Sequence, residues 1–351
     1  MEPTSPATAP GQPLLSISIP TYNRARYLAE NLAQLAAELR GVPYGTVQLL
    51  VSDNCSPDGT TAVVEQARAA GLPVEYVRNE KNLGWALNFA QAFELSRGRY
   101  VLMMGDDDLF VDGALARLLA RLALGCYGVV CLRPYGYEND FRKEFPGGTG
   151  RERSFDDSNE FLLATAKYFT LTSALVLDRS RLAGVDPRQF IKSDIATFHL
   201  VLRAALGAPK NLFIDEFVVA SKRQNSASYN YADIFVRQLW EIIDAHRPFG
   251  LREATIRRLE RGKLISYYPF YMLDQRLDRQ GDLKATLELF QKRFGDRWLF
   301  HFWVAPIIRW PRPLALGWGF IATVVGRIAG GDLRRGLMFA WNRLAKIRGG
   351  C

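Results

Sequence analysis

The sequence predicts an α/β protein: a doubly wound, mostly parallel sheet flanked by helices, with a helical C-terminal region behind it. Three observations carry this expectation. From residue 14 short apolar runs alternate with amphipathic stretches. The stretches are long enough to be helical crossovers. A polar cluster stands just after each of the first four apolar runs.

Residues 14–19 (LLSISI) read as a strand running into Pro20. Residues 24–40 follow as a helix, with Leu28, Leu32, Leu35 and Leu39 recurring at helical spacing. Residues 47–51 form the next strand, and Pro57-Asp58-Gly59-Thr60 is turn chemistry leading into a helix over 61–70. A third strand at 74–77, a helix at 84–96 and a fourth strand at 100–104 complete the alternation. Residues 113–124 read as a helix and 128–132 as a strand, followed by a glycine-rich loop, PGGTGRERS. A helix near 159–167, a strand at 171–177, a helix at 194–206 and a strand at 212–220 look like additions to the same sheet, with room for an antiparallel member. Past Tyr229 strand signals stop; 234–245, 253–273 and 282–294 read as helices.

With 351 residues, 48% hydrophobic and 23% charged, the chain has a globular composition and length for about two domains. Its net charge of +9 is unevenly placed. Residues 291–351 hold 11 Lys or Arg against 2 Asp or Glu, so residues 1–290 are neutral. Nucleic-acid binding by the whole fold is therefore not expected, and the basic character belongs to the C-terminal stretch. The four cysteines form no paired framework and three histidines are too few for a His-rich metal site, which points to a reducing compartment. Residues 1–13 have neither a basic nor an apolar stretch and read as a disordered leader, not a signal peptide.

The polar clusters are Thr21-Tyr22-Asn23, Asp53-Asn54, Arg78-Asn79 and Asp106-Asp107-Asp108. In an open parallel sheet, strand ends share one rim, the crevice where ligands bind. The glycine fingerprint of dinucleotide enzymes, the P-loop and the G-x-S-x-G elbow are all absent. Three adjacent aspartates repel one another, and a hard divalent cation with oxygen ligands, Mg²⁺ or Mn²⁺, relieves that repulsion. The bland alternative is a solvated turn or a helix cap, a role that Asp112 fills better.

The strings SISIPTYNRARYL, LLVSDNCSPDGT, RNEKNLGWALNFA and YVLMMGDDDLF, in this order, resemble the family 2 glycosyltransferases, whose nucleotide-sugar-binding domain has the GT-A fold. The resemblance covers about residues 14–225. GDDD together with SDN is most similar to bacterial O-antigen sugar transferases of the abequosyltransferase type. The resemblance implies that Pro20, Thr21, Tyr22 and Asn23 form the base-contacting loop, with Asn23 and Arg24 equally suited to capping. It implies that Asp53 accepts a nucleobase N–H, with an N-cap or loop hydrogen bond as the alternative. Asn82 and Gly84 would approach the nucleoside and diphosphate, although Gly84 also suits a helix start. Asp107 would be the direct cation ligand, Asp106 would face the ribose or the ion's waters, and Asp108 would complete the set. Gly105 stands where the family's first carboxylate would fall. Asp194, 87 residues past Asp107, matches the catalytic base, with an N-cap or first-turn helix carboxylate as the alternative and Asp186, Asp215 and Glu216 as fallbacks. Lys222 and Arg223 match a segment that closes on the leaving phosphates, with a basic surface loop as the alternative; Gln224 and Asn225 replace a further metal-binding histidine.

Five of the seven tryptophans, Trp298, Trp303, Trp310, Trp318 and Trp341, lie in the basic C-terminal stretch. Its uncharged run, residues 313–326, is too short to cross a bilayer. Arg309 and Arg312 precede the run, and Arg327, Arg334, Arg335, Arg343, Lys346 and Arg348 follow it. Such a segment suits an interfacial helix on anionic lipid; a packing layer or dimer contact is the alternative.

The expected organisation is a leader at 1–13, a GT-A catalytic domain at 14–228, a helical region at 229–296 and a membrane-associating segment at 297–351. The expected activity is inverting, metal-dependent transfer of a hexosyl or deoxyhexosyl group. It runs from a nucleotide-sugar donor to a glycan or lipid-linked oligosaccharide acceptor. The site would lie in the cytoplasm, on the inner face of a bacterial membrane, and an oligomer is compatible with it. A sugar nucleotidyltransferase and a non-catalytic membrane-complex partner are the competing readings.

Overall fold

Among the described residues nine strands form one sheet, and their order explains which loops meet. The computed structural model describes residues 11–148, 150–223, 230–279 and 281–329. Residues 1–10 of the expected leader lie outside the described residues, as do Gln224, Asn225, Arg334, Arg335, Trp341, Arg343, Lys346 and Arg348. The chain divides into two units, residues 1–227 with 248–250, and residues 228–247 with 251–351.

The first unit begins with the alternation β1 (Leu15–Thr21), α1 (Ala25–Glu38), β2 (Val47–Asp53), α2 (Thr60–Ala69), β3 (Val74–Arg78), α3 (Trp85–Glu94) and β4 (Tyr100–Met103). It continues with β5 (Leu109–Phe110), α4 (Ala114–Leu124), β6 (Val129–Tyr137), β7 (Glu152–Phe155), α5 (Ser158–Thr165), β8 (Leu175–Asp178), α6 (Ala196–Leu206) and β9 (Asn211–Lys222). The sheet runs β3-β2-β1-β4-β8-β6-β9-β5, with β7 also on β9. Its first four strands are parallel, which fits their apolar runs: Leu15, Ile17, Ile19, Leu49 and Val51 are buried. Ser16 and Ser18, also buried in β1, donate to Gln48 and pair with Ser96.

The second half of the sheet is mixed. Strand β8 runs antiparallel to both β4 and β6, β6 and β9 are parallel, and β5 and β7 add antiparallel to β9. Two of these strands have no sequence signal. Strand β7 lies within what reads as a glycine-rich loop, and β5 has only two residues directly after the aspartates. At Gly150, ahead of β7, an added Cβ would sit 2.3 Å from Glu216 Cβ, so only glycine lets this segment approach β9. The expected strand over 171–177 starts only at Leu175, because Thr172–Ala174 is a 3₁₀ turn.

Helix α1 is amphipathic as expected, but its buried face includes Asn31, Gln34 and Glu38. Each bonds the acidic turn or the chain that follows it. Asn31 Nδ2 donates to the carbonyls of Asp108 (2.6 Å) and Gly105 (3.3 Å), and Gln34 Nε2 to that of Phe110 (3.0 Å). Glu38 accepts the N–H groups of Gly113 (2.6 Å) and Leu115 (2.9 Å), so it is Glu38, and not Asp112, that caps α4. Asp112 instead accepts from Gln34 and Arg142.

The second unit is helical: α7 (Leu239–Ala245), α8 (Glu253–Gly262), α9 (Tyr268–Asp278), α10 (Leu283–Phe294), α11 (Ala305–Arg309) and α12 (Arg312–Ala329). Among the described residues it holds no strand. π-Helical turns at Asp233–Gln238, Lys263–Tyr267 and Phe300–Val304 lead into α7, α9 and α11. Its core is aromatic, with Trp240, Tyr268, Phe290, Phe294 and Phe300 fully buried. Trp240 Nε1 donates to the Tyr268 hydroxyl (2.7 Å), which donates to the Phe235 carbonyl (2.8 Å). Buried Glu260 accepts from both Arg293 and Arg297. Among the described residues no helix is long and apolar enough to cross a membrane.

Replacing Glu38 by alanine leaves two amides at the start of α4 without acceptors. We expect a loss of about 1–2 kcal/mol in urea unfolding. An unchanged midpoint would show that the cap contributes nothing.

Candidate active site

The rim of the parallel strands is assembled by register. Thr21 at the end of β1 lies opposite Asp53 on β2, and Asp53 opposite Arg78 on β3. Strand β4 stops earlier, with the Met104 N–H on the Ser18 carbonyl, and the acidic turn then carries the chain up to Thr21.

Asp53 is fully buried. One oxygen accepts the Ser56 N–H (2.9 Å); the other accepts from the Tyr76 hydroxyl (2.7 Å) and Arg78 Nη1 (3.2 Å). Of its two expected roles, the structure displays the loop hydrogen bond, and the carboxylate has no exposed surface for a nucleobase. Asn54, unassigned in the sequence, organises the neighbouring loop: its Nδ2 donates to Asn82 Oδ1 (2.8 Å) and its Oδ1 accepts the Leu83 N–H (2.8 Å). Asn82 Oδ1 also accepts the Gly84 N–H (2.8 Å). Gly84, at φ +83°, takes a backbone conformation suited to glycine and sets the start of α3. Both Asn82 and Gly84 are exposed. Two aromatic rings stand on this rim: Tyr22 is 43% exposed and Trp85, for which the sequence reading gave no role, 50%.

Pro20 is half-buried at the end of β1. Asn23 takes a left-handed conformation, φ +56°, and its N–H donates to Ser56 Oγ (2.9 Å), tying the first loop to the second. Arg24 does more than cap a helix. Its Nε donates to Asp106 Oδ1 (2.7 Å), its Nη2 to Asp107 Oδ2 (2.6 Å), and its guanidinium lies 4.8 Å over the Tyr27 ring.

The three aspartates differ in burial and in partners. Asp106 is buried, with Thr21 Oγ1 donating to its second oxygen (2.7 Å). Burial pushes its carboxyl up to about 6, against the pull of Arg24 and Thr21. Asp107 is the most exposed of the three. Asp108 is buried and accepts from Ser173 Oγ, which also accepts the Gly105 N–H at 2.8 Å. Burial and then the charge of Asp107 push the Asp108 carboxyl up to about 7, opposed by hydrogen bonds from Ser173 and Ser221. A Cβ at Gly105 would sit 2.9 Å from Asp107 Oδ1, so a side chain there would displace that carboxylate.

Among the described residues no three carboxylate, imidazole or thiolate groups form a ready-made cation cage. Two carboxylates do converge, since Asp106 and Asp107 meet the same guanidinium. Hard oxygen donors aimed at one positive charge fit a Mg²⁺ or Mn²⁺ ion that draws its other ligands from water and diphosphate. Asp108 does not belong to that pair, because Ser173 holds it inward. Of the expected three-aspartate set, Asp106 and Asp107 share the Arg24 partner, and Asp108 faces Ser173.

Asp194 is exposed in a turn, and α6 begins two residues later at Ala196, so Asp194 is not a first-turn helix carboxylate. Among the fallbacks, Asp186 caps a 3₁₀ turn, Asp215 pairs with Arg133 (3.1 Å) and Glu216 with Arg117 (2.8 Å). Lys222 Nζ donates to the Glu138 carbonyl (2.6 Å) and lies 4.7 Å over the Tyr137 ring. The Arg223 N–H donates to the Tyr137 carbonyl (2.8 Å), and its guanidinium faces Glu138 at 3.8 Å. Burial raises the Tyr137 phenol, and the charges of Glu30, Asp108 and Asp107 add to the effect, which sets this tyrosine beside the acidic turn.

A Rossmann-like parallel half, a mixed second half and an acidic turn after the fourth strand define a protein of the GT-A class. TarS of S. aureus (residues 1–349, in complex with UDP-GlcNAc) has this fold, with a TM-score of 0.60 at 19% identity, over 91% of this chain and 92% of that one. Residues 16–180 match the model of the family described as glycosyl transferase family 2. The abequosyltransferase RfbV of Salmonella typhimurium is 36% identical over 110 residues, which are 31% of this chain and 32% of that protein. The GalNAc(5)-diNAcBac-PP-undecaprenol beta-1,3-glucosyltransferase of Campylobacter jejuni is 25% identical over 172 residues, 48% of this chain and 54% of that protein. The chain thus matches about a third to a half of these relatives' length.

The Asp108 carboxyl keeps its proton in the folded chain to a higher pH than in the unfolded one. Stability from this group is present below about pH 4 and is lost as pH rises towards 7 and above. Asp108→Asn removes the titration. Its unfolding midpoint relative to the parent should therefore climb between pH 4 and pH 8, by at most about 1.4 kcal/mol per pH unit crossed. A difference that stays flat with pH would contradict the buried acid.

Proposed function

We propose that this chain is an inverting, divalent-cation-dependent glycosyltransferase. It moves a hexosyl or deoxyhexosyl group from a nucleoside-diphosphate sugar to a hydroxyl of a lipid-linked glycan in bacterial surface polysaccharide synthesis. The convergence of Asp106 and Asp107 on one positive charge, beside Thr21 at the end of β1, is the observation that supports it most. The relatives' names, an abequosyltransferase and a glucosyltransferase acting on an undecaprenol-linked glycan, agree with the sugar and acceptor classes.

In this reading Asp107, with Asp106, holds the Mg²⁺ or Mn²⁺. The ion supplies positive charge to the departing diphosphate. Tyr22 and Trp85 offer ring faces to the nucleotide, and Asp53, Asn54, Asn82 and Gly84 fix the loops that receive it. Asp194 takes the proton from the acceptor hydroxyl as its oxygen bonds the anomeric carbon. The anomeric carbon–oxygen bond to the diphosphate breaks on the opposite face, and the diphosphate leaves with the electron pair. Lys222 and Arg223, at the end of β9, stabilise that anion. Residues 14–228 are the catalytic domain, 229–296 a helical region, and the aromatic, basic residues 297–351 seat the protein peripherally on the inner face of the membrane.

Thermal shift and donor hydrolysis across UDP-, dTDP-, GDP- and CDP-sugars, with and without Mn²⁺, test the donor class. We expect one nucleotide to stabilise the chain in a Mn²⁺-dependent way. Stabilisation by none would favour a non-catalytic partner, and release of an activated sugar would favour a nucleotidyltransferase. Asp107→Ala should abolish transfer with an unchanged unfolding midpoint. Asp194→Asn should lower transfer by about 10²–10⁴-fold and keep donor binding. Near-normal transfer by either variant would remove that residue from its role.

A further inference from the structure

We infer that α12 forms a lipid-contacting face that ends in a cleft for the phosphate of an anionic lipid headgroup. The inference rests on the peripheral membrane seating proposed above, and it names the surface responsible.

Helix α12 has two unlike sides. Ala315, Gly319, Ala322 and Gly326, spaced 4, 3 and 4, are buried. A Cβ at Gly326 would come within 2.3 Å of the Ile265 carbonyl oxygen, and one at Gly319 within 3.1 Å of Leu273 Cδ1. The helix is thus pressed, backbone close, against α9 and the turn before it. On the other side Leu314, Ile321, Val325 and Ile328 are 62, 52, 43 and 55% exposed. Trp318 lies in the same row, and its ring packs on those of Phe302 (5.3 Å), Trp303 (5.6 Å) and Trp310 (6.1 Å). The indole N–H groups of Trp318 and Trp303 are both donated to carbonyls, those of Trp303 and Ile265. The aliphatic row therefore continues into an aromatic one, with Phe302 55% and Trp310 44% exposed.

This is a continuous apolar face on an 18-residue helix, about 27 Å long and too short and too polar at its ends to span a bilayer. Charge selects what covers it. Among the described residues, 309–329 hold Arg309, Arg312 and Arg327 and no Asp or Glu. A second copy of the chain would set this positive field against itself, whereas an anionic leaflet complements it. At the far end of the row, a cleft of about 340 Å³ is lined by Arg258, Arg261, Gly262, Ile265, Ser266 and Ala329. Arg258 and Arg261 are exposed on successive turns of α8, and Ala329 directly follows Ile328. Two guanidinium groups beside the end of an apolar row match a phosphodiester headgroup whose acyl chains lie along that row.

Co-sedimentation of the full chain tests this, with phosphatidylcholine vesicles compared with vesicles carrying about three-tenths phosphatidylglycerol. The parent should bind the anionic vesicles more tightly. Ile321→Gln with Val325→Gln should weaken binding to both by at least about tenfold. Arg258→Gln with Arg261→Gln should weaken binding to the anionic vesicles alone, by roughly thirtyfold for the two charges. Unfolding midpoints near the parent's establish that the variants fold. If the parent pellets and both pairs pellet equally well, this inference falls while the membrane reading stands. If the parent does not pellet at all, the membrane reading falls and takes this one with it. A dimer by light scattering that Ile321→Gln with Val325→Gln dissolves would assign the face to a second copy instead.

Discussion

A polar stripe on the buried side of α1 is the constraint on which the candidate site depends. Asn31, Gln34 and Glu38 sit at helical spacing where leucines would otherwise fall, and each binds main-chain groups of residues 105–115. A turn with three adjacent carboxylates has little reason to hold one shape. Its carbonyls at Gly105 and Asp108 are held by Asn31 of a rigid helix, which restricts the directions its aspartate side chains take. Arg24, one residue before the same helix, then holds Asp106 and Asp107 from above. The same helix thus reads both the backbone and the side chains of the acidic turn.

Much of this was legible in the residues. The parallel half, its helices and the polar rim follow from periodicity and from where the apolar runs stop. The four motif strings resemble the family whose model residues 16–180 match. What could not be read depends on partners distant in sequence. Adjacent aspartates look alike in a string, and it takes Ser173, sixty-five positions on, to turn Asp108 inward while Asp107 stays at the surface. Asp53 reads in the string as a base acceptor or a loop anchor, and only the fold shows that Tyr76 and Arg78 bond its carboxylate. Strands β5 and β7 are too short to carry an alternation signal and exist because β9 offers them edges. The stripe on α1 did leave a trace: three long polar side chains within the leucine face of one helix. Its meaning needed the loop it binds.

The helical unit shows a different economy. Its core is made from large rings with polar ends, and those ends are satisfied internally: indole to phenol, phenol to carbonyl, two arginines on one buried glutamate. Periodicity located its helices but not the π-helical turns, which widen the helix locally where Phe235, Tyr267 and Phe300 must be accommodated.

Strand β9 has a bearing on how the molecule may be divided. It pairs with β6, β5 and β7, yet it starts thirty-one residues after the last position of the family match. A fragment trimmed to residues 16–180 would strip three strands of their common neighbour and leave β6 with an open edge available to other chains. The stretch recognisable by descent is therefore shorter than the stretch able to fold. Any excised catalytic piece meant to stay soluble has to run through Lys222.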